Sequence, residues 1–296
     1  MKKLPLLVFL AASFIAARID AQTVFYNNDF PNNLVGTASR PESTNKIEIE
    51  SADDFMVNSS TQVTGATFSG LLPSNFDPAS IGQVRVEIYH VFPTDSDTTR
   101  TPNVNTRANS PSDVALLDRD STSGGLTFST NVLNADFTAA NSVLNGINPK
   151  PNQLTNGEGP ITGEEVRFTI NFTNPFDLPP DHYFFVPQVE LAGTDNFFWL
   201  SATRPLAAPS TIFAPDLQSW TRSARLDPDW SRIGTDIIGG TTFNAAFSLT
   251  GNVPDSGSTA MLLGSALVAM ICLKRRSIGT AGINLKQNRR AWCYRR

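Results

Sequence analysis

The chain has 296 residues and a formal net charge of −4 at pH 7, and this small sum conceals an uneven distribution. Between Thr23 and Asn252, 25 acidic residues face 12 Lys and Arg residues, whereas both ends of the chain are basic. Nucleic-acid binding requires clustered Lys and Arg that neutralise phosphates, so the acidic body excludes nucleic acid as a partner. Basic segments beside apolar runs are instead typical of chains whose topology is set by a membrane.

Residues 1–21 have the three parts of a secretory signal peptide. Lys2 and Lys3 form the charged start, Leu4–Ala17 form the apolar stretch, and Ala21 is a small residue suitable for cleavage. The alternative is an N-terminal membrane anchor, but this stretch is short for a spanning helix and is followed by charged residues. We therefore predict that the chain is exported and that its mature body begins at residue 22.

The body, residues 22–252, is predicted to be one all-β domain because its apolar residues alternate with polar ones. The alternation is clearest in Val84–Ile88, Val166–Phe172 and Phe243–Leu249. A two-residue period is typical of strands that bury one face. Further strands are predicted at Lys46–Glu50, Gln62–Ser69, Leu126–Val132, Tyr183–Leu191 and Phe197–Ser201.

The connections between these strands are long and rich in Pro, Gly and Asn, which favours an antiparallel β-sandwich, jelly-roll-like in its strand order. Two segments, Ser112–Arg119 and Ala135–Leu144, are predicted as short helices. Both cysteines, Cys272 and Cys293, lie after the body. The body must therefore be stable without disulfides, and about 230 residues are enough to form a core of the required size.

No catalytic residue is predicted. The two histidines, His90 and His182, lie within or beside strands, without the neighbours of a zinc site or a nucleophile motif. Glu158, Glu164 and Glu165 lie in and after a Gly- and Pro-rich loop, whereas glycoside hydrolysis needs two carboxylates that face each other across a cleft. We interpret this loop as solvated, and a secreted hydrolase is the third of three functional alternatives.

Two segments with Asp residues, Ser51–Phe55 and Pro93–Asp97, offer the oxygen ligands that calcium prefers. Each has two acidic residues, whereas calcium takes about six to eight oxygen ligands. Asp also stabilises turns through its own side chain. We therefore predict no metal and no cofactor, with calcium in the body as the alternative.

Two tryptophans offer a surface for sugar binding. Trp220 and Trp230 lie in a polar, loop-like segment, so we expect them to be exposed and to form a stacking platform for glycan rings. The alternative is that they fill the core, as large aromatic residues usually do. An exposed platform would make the body a carbohydrate-binding module for extracellular polysaccharide, the second functional alternative.

The C-terminal segment has three consecutive parts: a polar turn, an uncharged apolar run and a basic cluster. The turn consists of Val253, Pro254, Asp255, Ser256 and Gly257, the run of Thr259–Leu273, and the cluster of Lys274, Arg275 and Arg276. The run predicts a single transmembrane helix at the short end of the usual range. The basic cluster predicts that the residues after it stay on the cytoplasmic side.

This order closely resembles the C-terminal sorting signals of the PEP-CTERM class, and Val253–Gly257 matches their VPDSG variant. The resemblance covers residues 253–276. It implies recognition by an exosortase, which cuts near the motif and passes the protein to the cell surface or an extracellular matrix. Residues 277–296 extend beyond the usual end of such signals, as a cytoplasmic tail or a mis-extended reading frame.

The body also resembles uncharacterised exported bacterial proteins that carry such signals. Four segments carry this resemblance: Glu50–Phe55, Asn109–Asp113, His182–Gln188 and Asp227–Trp230. The family implies no activity. We therefore predict a non-enzymatic surface or extracellular-matrix protein of a Gram-negative-type bacterium. It would be exported through its signal peptide, anchored transiently in the inner membrane and then delivered to the cell surface or matrix.

Overall fold

Most of the part of the chain that the structure describes consists of β-strands. The structure is a computed structural model that describes residues 22–100, 107–145, 154–203, 216–224, 229–240, 242 and 244–252. The predicted signal peptide (1–21), sorting segment (253–276) and tail (277–296) lie outside the described residues. The described residues all fall within one structural unit, which extends to Val253.

The strands are β1 (Thr23–Asn27), β2 (Pro31–Ala38), β3 (Ile49–Val57), β4 (Thr61–Leu72), β5 (Ile81–His90), β6 (Leu117–Asp120), β7 (Leu126–Ala139), β8 (Asn141–Val143), β9 (Ile161–Leu178), β10 (Asp181–Leu191), β11 (Phe198–Ala202), β12 (Trp220–Ser223), β13 (Ser231–Arg232), β14 (Asn244–Ala245) and β15 (Phe247–Asn252). Helical structure in the described residues is confined to a 3₁₀ turn at Pro78–Ser80 and a π-helical turn at Ile233–Ile238.

The strands form two sheets. In the larger sheet, β4 lies between β9 on one side and both β15 and β11 on the other; β7 pairs with β9, and β1 with β15. The smaller sheet has the order β13-β12-β3-β10-β5-β6. These pairs are antiparallel, whereas β2 and β8 are parallel. The prediction of an all-β, sandwich-like body is confirmed, and the jelly-roll order stays a prediction.

The alternating residues of the strands form a core between the two sheets. Phe68 of β4 stacks on Phe168 of β9 with ring centroids 4.8 Å apart. Phe185 of β10 stacks on Phe247 of β15 at 4.9 Å, and this pair joins the two sheets. All four rings are fully buried, and burying each contributes roughly 1.5–3 kcal/mol. Apolar packing thus holds the body together, as its lack of cysteine predicts.

At one end, the strands of the larger sheet close into a ring. β7 pairs with β9 and continues as β8, which pairs with β2. β2 then pairs with β11, β11 with β4, and β4 with β9. A second apolar core packs at this ring and consists of Val35, Ala38, Ile49, Leu71, Ala139, Val143, Phe198, Leu200, Ile233 and Ile237. The ring includes only the last part of β7, so Leu126–Leu133 lies outside it.

Connecting segments cover the outer face of the smaller sheet. Trp220 and Trp230 pack there against Tyr89, Phe184 and Val186 in a third apolar cluster. The central strands β3 and β10 are therefore buried on both faces. Burial on both faces explains why β10 has a nearly continuous apolar run instead of a strict alternation.

Both predicted short helices are wrong. Leu117–Asp120 forms β6 against β5, and the segment around Ala139 forms the end of β7 and the whole of β8. Apolar spacing over so few residues fits either structure, and pairing with neighbouring strands satisfies the backbone groups here. No helix within the described ranges has the length and apolarity needed to cross a membrane. The predicted transmembrane helix lies outside those ranges.

Candidate functional site

Charged side chains meet on the outer face of the smaller sheet. The register places Arg222 of β12 opposite Glu50 of β3. Glu87 and Tyr89 of β5 alternate with Val86 and Ile88, which face the core, so their side chains reach the same outer face. Glu50, Glu87 and Tyr89 are all nearly inaccessible to solvent. A buried group of this kind costs free energy unless its charges and polar atoms are paired.

Arg222 provides most of this pairing. Its Nε donates to Glu50 Oε2, its Nη2 donates to Tyr89 Oη at 3.1 Å, and its Nη1 donates to the backbone oxygen of Asp113 at 2.9 Å. Its guanidinium also lies 4.5 Å from the ring centroid of Trp230. Such a cation–π contact is strengthened where water is excluded. One arginine therefore joins two strands and the segment that covers them.

Arg85 and one further glutamate, Glu48, complete this group of charged residues. Arg85 Nη2 lies 2.7 Å from Glu87 Oε1, and Gln188 Nε2 donates to Glu48 Oε1 at 3.0 Å. Carboxylate oxygens of Glu48, Glu50 and Glu87 all lie within 4.8 Å of one another. This is close enough for a cation, but Arg85 and Arg222 already bring two positive charges to the three carboxylates. The arrangement therefore favours a closed ion-pair network over a cation site.

Burial separates the pKa values of the two inner carboxyls. Burial and the negative charge of Glu50 raise the pKa of Glu87 to about 8. Burial also acts to raise the pKa of Glu50, but its ion pair and hydrogen bond with Arg222 outweigh burial and lower that pKa. At neutral pH, Glu50 is thus ionised and Glu87 holds a proton. Glu48, Glu50, Arg85, Glu87, Tyr89 and Arg222 thus form one polar cluster on the smaller sheet, in which the two inner carboxyls differ in pKa.

The Asp residues considered for calcium do not converge. Asp53 and Asp54 follow each other in β3 and point to opposite faces. Asp53 accepts from Ser219 Oγ at 2.9 Å and from the Ala245 backbone N–H at 3.0 Å. Asp54 Oδ2 lies 2.6 Å from His182 Nε2. Both carboxylates also hold the segment before β12, Asp53 through Ser219 and Asp54 through the Leu217 backbone N–H at 3.1 Å, and they do so from opposite faces of β3.

The second Asp segment and the glutamates of the loop after residue 153 are also separately engaged. Asp95 lies 2.6 Å from His90 Nδ1, while Asp97 accepts from Thr99. Glu158 accepts from the backbone of Leu144 at 2.8 Å, and Glu164 accepts from the backbone of Asn75 at 2.9 Å. These contacts support turns and strand ends, and they bring no two of these carboxylates together across a cleft.

The expectation that Trp220 and Trp230 are exposed is wrong, and they do not form a glycan platform. Their exposed fractions are 1% and 2%. Trp220 Nε1 donates to the Leu217 backbone oxygen, and Trp230 Nε1 donates to the Ser112 backbone oxygen, both at 3.0 Å. Each indole thus has its polar group satisfied and buries a large apolar area over the outer face of the smaller sheet.

Segments that carry the resemblance to exported proteins meet in this layer. Trp230 bonds to Ser112, Arg222 bonds both Glu50 and the backbone of Asp113, and Gln188 bonds to Glu48.

Sequence reasoning missed Arg222 and the role of Glu87. The signal was the alternation in β5, where charged residues occupy one face of a strand whose other face is apolar.

A separate polar cavity of about 420 Å³ lies beside β6, the turn that follows it and β9. It is lined by Asp118, Arg119, Ser123, Gly124, Gly125, Thr173 and Asn174. Arg119 Nε donates to the Asn174 backbone oxygen at 2.6 Å, and its guanidinium lies 4.6 Å from the Phe176 ring centroid. The cavity therefore has a cationic residue held by two contacts on one side and further polar residues in its lining.

The comparisons with known proteins concern the other end of the chain. Residues 252–277 match the family model described as the VPDSG-CTERM motif. The match spans the polar turn, the apolar run and the basic cluster, so the chain carries this sorting motif. No curated protein and no solved structure matches the chain significantly.

Proposed function

We propose that this protein is an exosortase substrate: a non-enzymatic surface or extracellular-matrix protein of a bacterium. The VPDSG-CTERM motif at residues 252–277 carries this proposal and indicates an exported or surface protein. In this proposal, residues 1–21 direct export and Thr259–Leu273 hold the chain in the inner membrane. Lys274, Arg275 and Arg276 keep the tail in the cytoplasm, and Val253–Gly257 is presented to the enzyme for cleavage. Neither catalysis nor a cofactor is part of the proposal.

The first test separates recognition from membrane insertion. The double variant Pro254→Ala/Asp255→Ala alters the motif and leaves the apolar run and basic cluster intact. We expect normal export and insertion but no processing, so that a form about 40 residues longer than the mature protein accumulates in the inner membrane. An immunoblot of membrane fractions, in a host with its own exosortase, measures both forms.

Deletion of residues 277–296 is the matched control for this test. It should leave processing unchanged, because Lys274, Arg275 and Arg276 already set the topology. Equal processing of the Pro254→Ala/Asp255→Ala variant and the parent would contradict exosortase recognition and leave a single-helix membrane anchor as the explanation.

Polysaccharide binding is the second candidate, and the polar cavity supports it in place of the buried tryptophans. The cavity offers hydroxyl, amide and carboxylate groups of the type that bind sugar hydroxyls, in a volume suited to one or two rings. If it binds glycan, Asn174→Ala should weaken binding of the purified body on a glycan array by about tenfold, the worth of one to two hydrogen bonds. Asn171→Ala, on the same strand outside the cavity, is the control. Binding by parent and Asn174→Ala alike, or by neither, would exclude this site.

A further inference from the structure

The larger sheet has one long edge strand, β7, and the proposed sorting of the protein gives no reason for its length. The edge of a sheet exposes unpaired backbone N–H and C=O groups, which invite pairing with another chain. Proteins therefore keep edge strands short or place charged residues, especially Lys, and Pro on them. Other edges among the described strands are short: β1 has five residues, β6 has four and β13 has two.

The first part of strand β7, Leu126–Leu133, is protected neither by charged residues nor by Pro. The strand has 14 residues. Among the described strands, Leu126–Val132 pairs with β9 alone, and Leu133 lies in the irregularity that follows. This stretch reads Leu-Thr-Phe-Ser-Thr-Asn-Val-Leu and contains no charged residue, no Pro and no Gly. Val132 and Leu133 are 49% and 40% exposed, so two neighbouring apolar side chains lie open to solvent at this edge. The stretch is therefore both sterically open and chemically suited to pairing.

We propose that Leu126–Leu133 docks against the same stretch of a second copy of this chain. The two larger sheets would then form one continuous antiparallel sheet across a two-fold axis, as in isologous dimers. Seven residues on each side, Leu126–Val132, provide about six to eight new backbone hydrogen bonds, because alternate residue pairs each exchange two. The pairing would also remove Val132 and Leu133 from water.

The choice of a second copy follows from the edge itself. The other edge strands among those described are too short to pair along the whole of Leu126–Leu133. The matching edge is therefore β7 itself, in a second copy of the chain. The stretch has no charge that would repel its own copy across the axis, and like charges directly opposite each other would oppose pairing. A charged peptide would find no opposite charge along this stretch.

The local irregularities of β7 mark where the pairing ends. Its register against β9 shifts between Val132 and Asn134 and again between Asn134 and Phe137. Such bulges twist an edge and interrupt a ladder. Beyond them the chain enters the ring through β8. Pairing between copies is therefore confined to Leu126–Leu133 and does not depend on where the chain is delivered.

Cysteine crosslinking of the full chain tests this proposal. In a Cys272→Ser/Cys293→Ser background, a single cysteine is placed in turn at each of the five positions from Thr127 to Asn131, and membrane fractions are oxidised and run without reductant. Across a two-fold axis, the residue nearest the axis faces its own copy, within the roughly 7 Å between Cα atoms that a disulfide allows. Dimer yield should therefore peak at one of these five positions.

The control for yield is Thr169→Cys on β9, which is exposed and lies directly beside Ser129 but one strand away from the edge. The peak should exceed this control by about fivefold or more, because a disulfide forms only within a narrow range of distances. Adding Val132→Lys should reduce the peak to the control value, since an edge lysine opposes pairing. Val24→Lys, at a 58% exposed position of the edge strand β1, should leave it unchanged.

Three results would overturn the proposal. Yields at all five positions from Thr127 to Asn131 equal to that of Thr169→Cys would exclude an ordered pairing of copies. A similar effect of Val132→Lys and Val24→Lys would show that the contact is not made by β7. Crosslinks to a different protein in place of a dimer would assign the edge to another partner. Because the Pro254→Ala/Asp255→Ala variant has an unchanged body, it should give the same dimer yield whether or not sorting fails.

Discussion

The protonation state of Glu87 is set by its burial and its neighbours. The Glu87 carboxyl is buried beside Glu50, and the nearby charge of Arg85 does not compensate for this environment. The pKa of Glu87 therefore rises to about 8. Burial raises the pKa of Asp53, where Asp54 adds to the shift, and it also raises that of Asp54. For Glu87, the folded protein therefore keeps a proton at pH values where the unfolded chain has already released it.

This protonation makes the stability of the body depend on pH. Glu87 has a pKa near 4.5 when unfolded and about 8 when folded, so the folded state binds more protons between these values. The free energy of unfolding should then fall as pH rises from 5 to 8, by up to about 1.4 kcal/mol per pH unit for this group. Thermal unfolding of the body between pH 5 and 9 measures the slope.

Glu87→Gln should reduce this slope, because an amide imitates the protonated carboxyl and still accepts from Arg85. Asp53 and Asp54 would account for the slope that is left. Glu190→Gln on β10 is the control and should keep the slope of the parent. A slope unchanged by Glu87→Gln would show that Glu87 is ionised in the folded protein.

Among the elements, β4 depends most clearly on close packing. It pairs with β9 along its length and with β15 and β11 on its other side. Gly70 lies where the pairing partner of β4 changes from β15 to β11. A Cβ there would lie 2.1 Å from a ring atom of Phe197 and 2.7 Å from the backbone oxygen of Phe198. Phe197 is itself held edge-on against Phe68 and Phe168.

Gly70→Ala should therefore destabilise the body, by roughly 2 kcal/mol or more, since neither the ring nor the backbone can move away without disturbing the core. Gly82→Ala in β5 is a matched control, because its Cβ would meet only the flexible side chain of Glu190, at 3.1 Å. Chemical denaturation of both variants measures the difference. Equal stabilities of the two variants would show that the core around Phe197 adapts readily.

At the scale of the whole molecule, the body combines two sheets, a ring at one end and a covering layer over the smaller sheet. Each part has its own apolar core. The sequence between Thr23 and Asn252 contains no cysteine. Its stability therefore depends on apolar burial and on buried polar pairs such as Arg222 with Glu50.

The body Thr23–Asn252, expressed alone, should unfold in one cooperative transition, and its circular dichroism should be that of a β protein. Reductant should not shift the transition, because this span has no disulfide to lose. A mainly helical spectrum, or the absence of a cooperative transition, would contradict the fold. Dimerisation through β7 would make the transition temperature rise with protein concentration.

The sequence predicts those parts of the fold that have a local pattern of residues. The two-residue period of Val84–Ile88 and Val166–Phe172 requires only that one face of a strand be buried, and both segments are strands. The order of Val253–Gly257, Thr259–Leu273 and the basic cluster is also local, and the family match confirms the motif.

The remaining features were decided by the pairing of strands that are distant in the chain. Trp220 and Trp230 have polar neighbours in sequence, but Ser112 and the smaller sheet bury them. Glu50 and Glu87 meet because β3 and β5 flank β10, and neither residue's own surroundings in sequence show that contact. The segment Ala135–Leu144 is extended because its first part pairs with β9 and its second part pairs with β2. Burial, pKa and strand pairing depend on which distant groups come into contact, and only the tertiary structure determines that.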